Sequence, residues 1–183
     1  GCNGFLEWAM RLLLNALGFQ TAWWACVAGV GLGLEIPALV YCLVLVGLHL
    51  AFAQRPWSEI KLAAIALKIG LLVDTLLQTT SVIGFNGLAL GHLSPFWLWM
   101  LWVMFALTLN TSLAFLQTQP LWLSALAGLV FGPLTYIAGA KLGAAVFDGS
   151  IVHVGALALA WFIALPLLVY SAKKIFIQQQ GLS

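Results

Sequence analysis

Apolar runs of membrane-crossing length follow one another along almost the whole chain, each bounded by glycines, a proline or a short polar turn. A helix needs about 20 mostly apolar residues to cross a bilayer, where no water is present to satisfy an unpaired backbone group. The runs place spans at about 12–31, 36–53, 62–83, 96–116, 121–147 and 151–170. The expected fold is all-α: a single integral membrane bundle of six transmembrane helices occupying 1–183. Of the 183 residues 63% are hydrophobic and 7% charged, against roughly 25% charged in an ordinary soluble domain. No stretch remains for a soluble domain.

The few charges orient the bundle. With six spans both ends lie on one side, which collects Arg11, Arg55, Lys61, Lys173 and Lys174, while the opposite loops hold only Lys141. By the excess of cations on cytoplasmic loops both termini are expected in the cytoplasm. The net charge of +2 forms no basic patch, so nucleic acid is excluded as a partner. The first run carries Asn15 and Gln20 and is too long and too polar for a signal-peptide core. The aromatic cluster Trp97, Trp99 and Trp102 opening the fourth run suits the headgroup level.

The fifth run has the most distinctive pattern. Gly128, Gly132, Tyr136, Gly139 and Gly143 follow at steps of four, four, three and four, a helix face with almost no bulk except one phenol. Small residues let helix backbones approach closely in a membrane. Pro133 lacks the N–H that continues the ladder, so a kink is expected at Gly132 and Pro133. This face reads either as a packing groove or as the wall of a site built on Tyr136.

Polar residues at lipid depth carry whatever chemistry the chain has. An ionisable group there costs at least about 2.5 kcal/mol on insertion scales and usually faces the bundle interior. In the third run Asp74, Gln78 and Ser81 share one face at i, i+4 and i+7. Asp74 is expected to point inward with a polar partner on another helix, Asn110 or Tyr136. Lys68 either snorkels to the surface or reaches toward the same cavity. The expected ligand-binding set is Asp74, Gln78, Asn110 and Tyr136, orienting a headgroup or carboxyl between the third, fourth and fifth spans, with Phe105 and Phe131 against its tail.

Other chemistries find no footing. Cys2, Cys26 and Cys42 lack metal-ligand spacing and read as reduced apolar residues. His49 lies on the opposite side from His92 and His153, and two histidines without a third ligand make a weak metal signal. No serine elbow, phosphate loop, zinc cysteine pair or dinucleotide fingerprint is present. No catalytic residue, metal or cofactor is expected from motifs.

The segments PFWLWMLWVMFALTLNTSLAFL from Pro95 and AGLVFGPLTYIAGAKLGA from Ala127, with KIGLLVDTLLQ around Asp74, resemble a bacterial family of small polytopic inner-membrane proteins classed as a domain of unknown function. Its members are often encoded near cyclopropane-fatty-acid-synthase-like genes, so the resemblance implies a bacterial inner membrane and membrane lipids as partners, without site residues to carry over. GPLTYIAG is also similar to a Gly-Pro segment in the six-span substrate-binding subunits of energy-coupling-factor vitamin transporters, although no Ala-x-x-x-Ala coupling signature can be placed. Three expectations follow: a protein handling a lipid or small amphiphile in an intramembrane cleft, a small-solute transporter or substrate-binding subunit, or a non-catalytic subunit held by a membrane-protein partner.

Overall fold

A computed structural model describes the backbone of residues 2–180 and the side chains of 4–178. It contains six α-helices: α1 (Cys2–Gly31), α2 (Glu35–Phe52), α3 (Pro56–Thr79), α4 (Phe96–Leu109), α5 (Leu121–Lys141) and α6 (Ile151–Gln180). A 3-10 turn at Ala114–Thr118 follows α4, and the strands β1 (Gly84–Phe85) and β2 (Ala145–Val146) pair antiparallel.

The helix ends gather at two poles. At the first, Gly31 meets the backbone of Leu142, Glu35 accepts from Leu88 N, and Asn86 bonds to Gly143 and Ala144 beside the β1–β2 ribbon. At the second, Asn110 and His49 both reach Glu59, and Arg55 lies over Phe176. Successive helices thus run in alternate directions. Four helices, α1, α2, α5 and α6, are long and apolar enough to cross a membrane. Two expected spans fall outside that set: α3 carries Glu59, Lys61, Lys68 and Asp74, and α4 has only 14 residues.

Apolar side chains face outward on the four long helices, where at most 33% of the span residues are buried. That arrangement suits a lipid surround, which needs no inward hydrophobic segregation. The protected centre is α4, which packs on α1, α2 and α3 and touches α6. It ends at Leu109 rather than continuing to 116. Asn15 of α1 donates to Leu107 O at 3.2 Å and accepts from the Ser112 backbone at 3.2 Å and its hydroxyl at 2.6 Å. Gln117 donates to Leu109 O at 2.8 Å. These side chains satisfy the carbonyls that a continuing helix would have used.

The α5 helix runs through Pro133 without a break and stops at Lys141, six residues short of the expected end, where Gly143 adopts φ +87°. Pro133 has no N–H to give the ladder, and the helix continues on either side of it. Its glycine face docks α6. A Cβ on Gly132 would lie 2.3 Å from the Trp161 ring, and one on Gly128 would lie 2.2 Å from the Trp161 carbonyl. On α3, a Cβ on Gly70 would lie 2.1 Å from Trp102. The two indoles these glycines admit stack on each other, with centroids 4.7 Å apart and planes 10° apart. Cys26 and Cys42 are buried free thiols joining α1 to α2, while the Cys2 side chain lies outside the described residues.

Replacing Gly70 by Ala should therefore destabilise the bundle by about 1–3 kcal/mol through overpacking. Gly18→Ala, with nothing within 4 Å of the added carbon, should stay within about 0.5 kcal/mol. Thermal unfolding in detergent compares the two, and equal effects would refute the role assigned to the Gly70 notch.

Candidate functional site

Asp74 is fully buried on α3, and two donors from other helices converge on it. The Tyr136 hydroxyl of α5 donates to Oδ1 at 2.5 Å, and the Trp102 indole of α4 donates to Oδ2 at 2.7 Å. Both carboxylate oxygens are thereby engaged, as a carboxylate deep in an apolar bundle requires. Lys68 is exposed and takes no part. Trp102 belongs to this buried centre rather than to an interfacial belt, whereas Trp99 bonds to Ser94 near the first pole.

The other expected site residues lie elsewhere. Asn110 is at the far end of α4, donating to Glu59 Oε1 at 3.2 Å and accepting from Gln117 at 3.0 Å. It stands eight residues beyond Trp102, about 12 Å along the helix axis, and so cannot share a headgroup with Asp74. Gln78 is one turn beyond Asp74 toward the first pole and lines a different cavity. Of the expected set, the structure joins only Asp74 and Tyr136.

The larger cavity is a groove of about 550 Å³. One side is formed by Phe19 and Trp23 of α1 with Leu101 and Phe105 of α4, the other by Phe131, Tyr136 and the glycines of α5, and Trp161 of α6 closes its floor. The groove exists because α5 packs on α6 and leaves its other side clear of α1. The expected cleft between the third, fourth and fifth spans is thus displaced: α1 supplies a wall in place of α3, because Trp102 fills the notch that Gly70 opens.

Phe105 and Phe131 both line this groove, Phe105 meeting the Trp161 ring edge to face at 5.8 Å. Polar groups are few. Tyr136 turns its hydroxyl away to Asp74, Trp97 donates to Asn86 O, Thr135 bonds back to Phe131 O, and Gln20 of α1 brings an exposed side-chain amide. The Trp161 indole N–H is buried beside the Tyr136 ring without a hydrogen-bond acceptor of its own. The role of α1 and Trp161 was not read from the sequence, although the Gly128 and Gly132 pair marks where a large α6 residue must dock.

The smaller cavity, about 300 Å³, lies at the first pole and includes Gln78, Ser81, Asp148 and His153. Asp148 Oδ1 accepts from Ser150 N and from His153 Nδ1, each at 2.9 Å. The backbone N–H of Ser150, and then His153, hold the Asp148 carboxyl below its usual 3.8. Among the described residues no group of three or more His, Cys, Asp or Glu side chains is placed to hold a metal.

Two outcomes test these assignments. Tyr136→Phe should cost about 1 kcal/mol, the scale of one membrane-protein hydrogen bond. Asp74→Ala, which orphans both donors, should cost about 2–3 kcal/mol; reversal of that order in denaturant titrations would refute the two-donor arrangement. Asp148, whose carboxyl is depressed, should tether the start of α6 above the ordinary carboxyl value and release it as pH falls through the lowered one. Carbon-detected NMR of the Asp148 carboxyl measures that midpoint, and a value at or above 3.8 would contradict the geometry.

No curated protein and no solved structure matches the chain. A family model described as a protein of unknown function, DUF2878, matches residues 12–167. That stretch takes in Asp74, Trp102, Tyr136, Trp161 and both cavities. The chain belongs to the DUF2878 family of proteins of unknown function.

Proposed function

We propose that this protein spans a bacterial inner membrane six times and holds the chain of a lipid or small amphiphile in the groove between α1, α4 and α5. The carrying observation is the groove: about 550 Å³, walled by aromatic side chains on three helices. Small-ligand sites have this character, with a mainly apolar lining and few polar groups to fix orientation. A polar solute finds little here to replace its hydration, since Asp74, Gln78 and Asn110 do not converge and both oxygens of the buried Asp74 already accept from Trp102 and Tyr136. This favours an amphiphile over a water-soluble substrate.

Six spans are supported by the alternating helix directions and by the length of α3, 24 residues or about 36 Å. The charged residues of α3 lie near its start or, in Asp74, are enclosed by neighbours; Lys68 has a long stem that can snorkel. The turn after α4 supplies the length that helix lacks. Arg11, Arg55, Lys61, Lys173 and Lys174 belong to the second pole and Lys141 to the first, which supports cytoplasmic termini.

Lipid extraction and native mass spectrometry of protein purified in mild detergent test this reading. The wild type should retain an acyl lipid stoichiometrically. Ala138→Trp, which fills the groove, should lower its occupancy about tenfold, the loss produced by about 1.4 kcal/mol. Leu159→Trp, on the exposed face of α6, should leave it unchanged. An empty wild-type protein, or equal retention in both variants, would refute the groove as the site.

A further inference from the structure

The β1–β2 ribbon separates two cavities by the alternation of its side chains. Phe85 and Ala145 face the groove, while Gly84 and Val146 face the smaller cavity of about 300 Å³. The smaller cavity differs in character. Its lining has a carboxylate, a histidine, an amide and a hydroxyl, with no Lys or Arg and no phenyl, phenol or indole ring.

Its free acceptors are a carboxylate oxygen, an amide oxygen and an imidazole nitrogen, beside the Gln78 side-chain N–H groups and the Ser81 hydroxyl as donors. Gln78 Oε1 is buried with no hydrogen-bond partner. Asp148 uses Oδ1 for both Ser150 N and His153 Nδ1, which leaves Oδ2 without a protein donor. A carboxylate only accepts, so His153 donates through Nδ1 and, when neutral, presents a lone pair at Nε2. Ser81, at φ +59°, lies two residues past the end of α3 beside the same cavity, and the carbonyl end of a helix carries partial negative charge.

We propose that this pocket is a binding site for a primary ammonium group. Such a group brings positive charge and three N–H donors to a carboxylate oxygen, an orphaned amide oxygen and an imidazole nitrogen. A quaternary ammonium has no N–H and relies on aromatic faces, which this lining lacks. A metal ion would need more ligands than Asp148 and His153 supply. The amine can belong to an aminophospholipid headgroup or to a soluble amine. The site does not depend on the occupant of the groove, because the ribbon lies between them.

The test uses the full chain in nanodiscs containing equal parts of phosphatidylethanolamine and phosphatidylcholine with identical acyl chains. The two lipids differ at the nitrogen, so an acyl-chain site retains both alike. Native mass spectrometry should show phosphatidylethanolamine retained over phosphatidylcholine by about tenfold, the ratio that one charge-assisted hydrogen bond supplies. Asp148→Asn and Gln78→Leu should each bring the ratio toward parity; Asn keeps an acceptor for Ser150 N, and Gln78 does not cap α6. In phosphatidylcholine nanodiscs, 2-aminoethanol and choline are compared for stabilisation against heat. Wild-type parity, together with stabilisation by 2-aminoethanol that Asp148→Asn abolishes, would support the site with a soluble amine as its ligand. Parity with no such stabilisation, or a lipid preference unchanged in both variants, would overturn the proposal.

Discussion

The buried carboxylate of Asp74 fixes how the helices meet. It has no water to turn to, so it must be enclosed by donors, and those come from α4 and α5. Trp102 cannot reach it unless α3 yields space, which Gly70 does one turn away. Once seated, Trp102 offers its face to Trp161, and Trp161 in turn needs Gly128 and Gly132 to bring α6 against α5. The polar contact, two indoles and three glycines form one dependent series, and the groove is what remains on the side of α5 that this series leaves uncovered.

Much of this was legible from residue pattern. The six apolar runs correspond to the six helices because length and hydrophobicity dominate in a chain with so few charges. The inward direction of Asp74 and its need for a polar partner followed from the cost of a lone carboxylate in an apolar bundle; of the two candidates, Asn110 and Tyr136, it is Tyr136 that bonds to it. Trp102 was missed as a partner because a tryptophan near the start of an apolar run reads as an interfacial anchor. The signal was on α3, where Gly70 and Asp74 stand one turn apart and define a slot for a flat ring with an N–H at its edge. Asn110 was grouped with Asp74 by polarity, although depth along the helix separates them. Periodicity assigns residues to faces, but their level in the bundle depends on where each helix stops, and α4 stops early because Asn15, ninety-two residues from Leu107 in sequence, satisfies its end.

The ribbon extends the same logic to the pole. With only two residues in each strand it adds little stability. Its pleat nonetheless gives adjacent residues opposite surroundings, so an aromatic wall and an acceptor-rich pocket are built from neighbouring positions. The groove and the pocket are therefore chemically distinct, though only a ribbon apart.

The shortness of α4 bears on what holds it in place. Its 14 residues extend about 21 Å, against a hydrocarbon core of about 30 Å. The turn that follows carries polar side chains whose partners are on α1 and α3. During synthesis this segment emerges after those partners, and it is poorly suited to be held in lipid alone. The placement of α4 thus depends on helices that precede it in the chain, and a lesion at Asn15 or Glu59 would leave its end without those partners.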